Sequence, residues 1–125
     1  MFSLLIIYFC VMNSTIYAQS NEKTYLHFEL DEQPQFGQSK NDLTEYIYRN
    51  LKWPKGSDGT GEVIVSFIVT KIGKVEKVKL IKSLGSLFDE AALKVFQDMP
   101  NWQPGKLDNE YVNVRLFFPV KFILN

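Results

Sequence analysis

The sequence contains only one cysteine, Cys10, and one histidine, His27. A zinc site or a Ser-His or Cys-His nucleophile needs these side chains in combination, so the chain cannot assemble one. His27 lies in a polar segment, which predicts a solvated surface residue. We therefore expect no enzymatic activity, no metal site and no cofactor, and the sequence favours a binding domain. The remaining enzymatic alternative would gather His27, Glu29 and Asp31 in one cleft.

The sequence also lacks an excess of either charge, because 14 Lys and Arg residues balance 14 Asp and Glu residues. A basic surface that attracts nucleic acid is therefore not expected. The glycine-rich segment 55–61 joins a predicted helix to a predicted strand, which is the reverse of the order found in phosphate-binding loops. Nucleotide binding is not expected either. A chain of 125 residues that is 46% hydrophobic is typical of one globular domain.

The first 18 residues carry no charged side chain, and the apolar run Phe2–Met12 has the length of a signal-peptide core. This run is short for a membrane span. Cleavage near Ala18 or Ser20 would remove Cys10 and leave a mature chain without a thiol. We predict three parts: a signal peptide or N-terminal anchor over residues 1–19, a lead-in segment over residues 20–37 and a folded domain over residues 38–125.

Helical periodicity predicts two helices. The first begins at Ser39, where a serine can cap the helix, and ends before Trp53-Pro54, because the residue before a proline disfavours the α conformation. The second begins at Ser86 and ends before Pro100. Its first turn contains Asp89, and a carboxylate there is stabilised by the helix dipole.

Alternation of apolar and polar residues predicts three strands. The segments Gly61–Thr70 and Val75–Ile81 form a hairpin around Gly73, and the last strand follows, with its even-numbered residues from Val112 to Leu124 facing the core. A type II turn is predicted at Pro104-Gly105 and a second turn at Asn109, and Tyr25–Leu30 is either loose or a short edge strand. The expected fold is α+β: a small antiparallel three-stranded sheet covered on one face by two helices, in the order helix-strand-strand-helix-strand.

Pro119 lies in the middle of the last strand, between Val114 and Phe122. Proline has no N–H to donate to a neighbouring strand, so it occurs in sheets mainly at edges and bulges. We therefore predict that this strand is an edge strand. An open edge must either be protected or be used to pair with another chain.

Several short motifs occur together in a fixed order along the chain. They are Phe36-Gly37, NLKWP (50–54), GEVIVSFIV (61–69), KIGKVEKVKL (71–80), SLFDEAALKV (86–95), MPNWQPG (99–105) and VNVRLFFPVKF (112–122). In this order and spacing, from Leu30 to Leu124, they resemble the TonB carboxy-terminal domain in its Bacteroidetes-type form. The fold expected above agrees with that resemblance.

The resemblance implies a periplasmic domain that binds the TonB box, a short extended segment of outer-membrane transporters, by β-strand addition in support of energy-coupled transport. It further implies contact with the inner-membrane motor complex if residues 1–18 are retained as an anchor. The alternative is a soluble envelope scaffold, or a homodimer in which the edge pairs with itself.

The resemblance also assigns residues. The peptide-binding set comprises Val112, Val114, Arg115, Leu116, Phe117, Pro119 and Lys121 in the last strand, together with Trp53 and Pro54. The residues expected at structural turns and helix ends are Gly73, Trp102, Pro104 and Gly105. From the residues alone, the two tryptophans are expected either to pack over the ends of the sheet or to offer rigid apolar contacts to a bound peptide.

Overall fold

A computed structural model describes residues 22–55 and 60–123. The predicted leader and its cleavage site lie outside the described residues. Within these ranges no helix is long and apolar enough to cross a membrane. The elements in chain order are β1 (Thr24–Leu26), a 3₁₀ turn (His27–Glu29), α1 (Asp42–Asn50), β2 (Gly61–Val69), β3 (Val75–Lys82), α2 (Ser86–Gln97), β4 (Gly105–Leu107) and β5 (Glu110–Phe122).

The strands form one mixed sheet in the spatial order β1-β5-β2-β3, with β4 paired to β5. β2 runs antiparallel to both β3 and β5, whereas β1 runs parallel to β5. The α+β class is therefore correct, but the predicted three-stranded antiparallel sheet is wrong, because the sheet has five strands. The two additional strands, β1 and β4, are three residues long each, too short for alternation to define them. β1 overlaps only the start of Tyr25–Leu30, the segment predicted to be either loose or a short edge strand, and β4 is not among the predicted strands.

The core lies between one face of the sheet and the two helices. The even-numbered residues Val114, Val120 and Phe122 of β5 are fully buried, as the alternation predicts. The fully buried large side chains also include Ile47 of α1, Phe96 of α2 and the β2 residues Val63, Val65, Phe67 and Val69. The opposite face of the sheet carries the odd-numbered residues of β5, among them the exposed Phe117 and Lys121.

At the start of each helix, a carboxylate accepts hydrogen bonds from the residues that precede it. α1 begins at Asp42 rather than at the predicted Ser39. Asp42 accepts hydrogen bonds from the backbone N–H of Gln38 at 2.7 Å and from the hydroxyl of Ser39 at 2.8 Å. α2 begins at Ser86 as predicted. The buried Asp89 in its first turn accepts hydrogen bonds from the Ser83 hydroxyl and from the N–H of Leu84.

The turn between β2 and β3 is packed against the segment that follows α2. Gly73 has φ +85°, and a Cβ built on it would lie 2.0 Å from the carbonyl oxygen of Trp102. The Gly73 carbonyl accepts a hydrogen bond from the Trp102 N–H at 2.7 Å. The position therefore needs a glycine both for its backbone angle and for this close approach.

The predicted type II turn at Pro104-Gly105 is wrong. Such a turn requires a positive φ at its third position, and Gly105 instead begins β4 without one. The predicted turn at Asn109 is correct: Asp108 and Asn109 have φ of 52° and 65° and connect β4 to β5 as a tight hairpin.

Candidate functional site

β5 is paired over most of its length, so the prediction that the last strand is an edge strand holds only for part of it. One side of Val114–Phe122 pairs with β2. Val112 pairs with Gly105 of β4, and Val114 pairs with Tyr25 of β1. Val112 and Val114 are therefore not at an open edge, because the short strands β1 and β4 complete the sheet beside them.

An unpaired stretch remains further along β5. The N–H of Lys121 donates to the hydroxyl of Tyr48 at 2.9 Å, so at this residue the backbone groups face away from β2. Because backbone groups alternate along an antiparallel strand, Phe117 and Pro119 face the same way. No strand among the described residues pairs with them on that side. We call this stretch, Leu116–Val120, the open edge.

The position of Pro119 follows from this geometry. It lies opposite Ile64 of β2, in a pair whose backbone groups point outward. The missing N–H is therefore on the open side, and no hydrogen bond to β2 is lost. The open edge offers one donor, the N–H of Phe117, and two acceptors, the carbonyl groups of Phe117 and Pro119.

Both ends of the open edge are defined by contacts. At its start, Leu26 of β1 pairs with Arg115, and the 3₁₀ turn that follows ends the pairing while remaining in contact with β5. At its end, Tyr48 from α1 covers the N–H of Lys121. An added strand that displaces neither neighbour can pair with only about five residues, or roughly 17 Å of chain.

Apolar side chains surround the open edge. Phe117 is 50% exposed, Leu26 at the end of β1 is 37% exposed and Phe28 in the 3₁₀ turn is 72% exposed. Arg115 lies on the same face of the sheet as Phe117 and donates from Nη1 to the Ser66 hydroxyl at 2.8 Å. This bond directs the guanidinium across the sheet, while Phe117 remains available to a partner.

The two tryptophans differ in their environment. Trp102 is 7% exposed, lies against the rings of Phe36 and Phe67, and donates from Nε1 to the sulfur of Met99 at 3.2 Å. Trp53 is 41% exposed and meets the ring of Phe122 edge-on, with 5.3 Å between centroids. Trp102 therefore belongs to the core, whereas Trp53 presents part of its ring at the end of β5.

The other edge of the sheet is β3, which pairs only with β2 among the described strands. Its pairing is interrupted by register shifts, and Lys77 adopts φ 50°. Lys79 and Lys82 are exposed along it. Irregular pairing and lysine side chains are features that protect an edge from further strand addition. The pairing of β5 with β2 shows no such interruption.

Three residues of this site are not predicted from the sequence: Tyr48, Leu26 and Phe28. Tyr48 lies off the apolar stripe of α1, and its contact with β5 joins segments far apart in the chain. The predicted His27 surface position agrees with the structure, in which the residue is exposed. Within the described ranges, no group of three His, Cys, Asp or Glu side chains could hold a metal ion.

A comparison with protein families identifies the family to which the chain belongs. A family model described as the Gram-negative bacterial TonB protein C-terminal matches residues 56–124, which is more than half of the sequence. The chain belongs to the TonB C-terminal family. The match contains the whole of β2, β3, α2, β4 and β5, and it begins after Trp53 and Pro54. No curated protein and no solved structure matches the chain.

Membership gives the coarse function of the domain. TonB C-terminal domains are non-enzymatic, belong to the bacterial cell envelope and take part in energy coupling to transport through contacts with outer-membrane transporters. For this TonB C-terminal domain, the open edge of β5 has no partner strand among the described residues.

Proposed function

We propose that this domain captures an extended segment of an outer-membrane transporter, the TonB box, by adding it as a strand to the open edge of β5 in the periplasm. The observation that carries the proposal is the orientation of Phe117, whose N–H and C=O face the unpaired side of the strand. Strand addition needs such an unpaired row of donors and acceptors.

The affinity expected from this edge is low. Each backbone hydrogen bond contributes about 0.5–1.5 kcal/mol net, and the open edge can form three. Apolar contact with the exposed Phe117 adds to this sum. A dissociation constant of roughly 0.1–1 mM is therefore expected for a short peptide, which suits a contact that has to be released after each transport event.

Side chains around the edge give selectivity. Arg115, Phe117 and Lys121 lie on the face of the sheet opposite the helices, where they would contact alternate residues of an added strand. Trp53 and Pro54 lie towards the far end of β5 and would contact the segment that extends past Lys121. The partner is therefore expected to carry apolar residues on the face beside Phe117.

The experiment separates backbone pairing from side-chain contact at one residue. Phe117→Pro removes the N–H from the open edge without removing a bond to β2, whereas Phe117→Ala removes the ring and keeps the N–H. Titration of both variants with a TonB-box peptide from a transporter of the same bacterium should show about two- to twelvefold weaker binding for Phe117→Pro than for Phe117→Ala. Equal affinities would exclude strand addition at this edge.

A further inference from the structure

We infer that β1, Thr24–Leu26, is a resident strand on the same side of β5 as the open edge, and that β1 and an incoming transporter strand exclude each other along Asn113–Arg115 of β5. This inference rests on the proposed function, because it concerns the same edge. It adds that the chain itself controls how much of the edge is accessible.

β1 lies in line with the open edge. It pairs in parallel with Asn113, Val114 and Arg115, and the open edge begins at the next residue, Leu116. Since β2 occupies the other side of β5 over these residues, β1 and the open edge share one side of the strand. The edge is therefore continuous from Asn113 to Val120, and β1 covers its first part.

β1 is held by few contacts. It is three residues long and none of them is buried. Lys71 Nζ forms an ion pair with Glu22 Oε1 at 2.6 Å, but both side chains are about half exposed, and exposed ion pairs contribute little to stability. By comparison, β2 pairs with β5 over nine residues that include the centre of the core. β1 can therefore separate from β5 while the rest of the sheet stays intact.

The segment after β1 is anchored independently. The N–H groups of Asp31 and Glu32 donate to the carbonyl of Lys106 at 3.0 and 3.1 Å, and the N–H of Lys106 donates back to Glu32 at 2.9 Å. These bonds tie the chain to β4. Release of β1 therefore frees residues before the 3₁₀ turn without detaching the remainder of the lead-in.

β1 therefore limits the length of the strand that can pair with β5. A short strand can bind at Leu116–Val120 with β1 in place, whereas a longer strand gains further backbone hydrogen bonds only by displacing β1. Two further bonds of ordinary strength correspond to an affinity about tenfold or more higher once β1 is out of the way.

Two variants test this inference. In the released variant, Thr24→Gly, Tyr25→Ser and Leu26→Gly are combined to remove the strand-forming side chains. In the locked variant, Thr24→Cys and Asn113→Cys, in a Cys10→Ser background, place a disulfide between register partners. Adjacent strands lie about 4.8 Å apart, within the Cα separation that a disulfide spans. The locked variant is compared with itself, oxidised and reduced, so any cost of the substitutions cancels.

Two peptides serve as probes: the transporter TonB-box peptide and a synthetic copy of residues 22–29, EKTYLHFE. We expect the released variant to bind both about tenfold tighter than the unaltered chain. Oxidation of the locked variant should abolish binding of EKTYLHFE, and reduction should restore it.

The outcomes distinguish the two proposals. If the transporter peptide binds the released and unaltered chains equally, and oxidation of the locked variant changes nothing, the inference is overturned while strand addition stands. If the transporter peptide binds neither chain, the proposed function fails, and EKTYLHFE binding to the released variant alone still supports β1 as a resident strand. If the released variant does not fold, the locked variant decides the inference by itself.

Discussion

The hydroxyl of Tyr48, on α1, accepts a hydrogen bond from the backbone N–H of Lys121, in β5, at 2.9 Å. This contact shows that the backbone groups of Lys121 face away from β2. It also closes one end of the open edge, so the helix layer and the sheet edge meet at this point. The length of strand that the domain can accept therefore depends on a side chain outside the sheet.

Removal of this hydroxyl should loosen the end of β5 without unfolding the domain. Because the contact is exposed, Tyr48→Phe is expected to cost less than about 1 kcal/mol of unfolding free energy. Hydrogen exchange at the Lys121 amide should become faster. The matched control is Tyr46→Phe on the same helix, whose hydroxyl donates to the carbonyl of Asp98 instead. Unchanged protection of Lys121 in Tyr48→Phe would show that the contact is not maintained in solution.

The β2–β3 turn should tolerate no side chain at Gly73. Gly73→Ala combines a positive φ with a clash against the Trp102 carbonyl, so we expect a loss of at least about 2 kcal/mol in unfolding free energy. Gly85 provides the control, since its φ is +121° but a Cβ there would meet nothing within 4 Å. Gly85→Ala should cost about 1–3 kcal/mol from the backbone angle alone, and less than Gly73→Ala because no clash is added. Equal losses in denaturant titrations would mean that the approach to Trp102 is not as close as described.

The two tryptophans should differ in their effect on stability. Trp102→Ala leaves a cavity between Phe36 and Phe67 and should cost about 3–5 kcal/mol. Trp53→Ala removes a ring that is already partly in solvent, so about 1–2 kcal/mol is expected. Urea titrations of both variants measure which substitution lowers the unfolding free energy more. A greater loss for Trp53→Ala than for Trp102→Ala would contradict the placement of Trp102 in the core.

The pairing of β1 should depend on pH through Glu22. A hydrogen bond from Lys71 lowers the pKa of the Glu22 carboxyl below its usual value. Because the folded-state pKa is the lower one, the contact stabilises β1 above the unfolded-state pKa and is lost as the pH falls through the folded-state value. Protection of the Tyr25 amide should therefore decrease as the pH falls below the usual pKa of a glutamate carboxyl. Lys71→Ala should remove this pH dependence, and its persistence in that variant would assign it to another group.

Much of the fold could be predicted from sequence patterns because those patterns are local. The alternation in β5 identified which residues face the core, and Asp89 marked the start of α2 where its carboxylate accepts two hydrogen bonds. Pro119 correctly indicated an unpaired side of β5. Each of these features depends on residues close together in the chain.

The parts that were missed depend on pairing between distant segments. Periodicity shows which face of a strand is buried, but it does not show which strands lie beside it. The position of β5 between β2 and β1 therefore could not be predicted, nor could the contact of Tyr48 with Lys121. For the same reason, Pro119 identified one open side but not that β1 covers part of it.

Backbone NMR during titration with the TonB-box peptide tests the central claim most directly, because the sheet has two edges and each has its own amide signals. We expect intermolecular backbone contacts and increased exchange protection at Phe117, with amides in Lys77–Ile81 of β3 unchanged. Contacts along β3 with Phe117 unaffected would contradict the account.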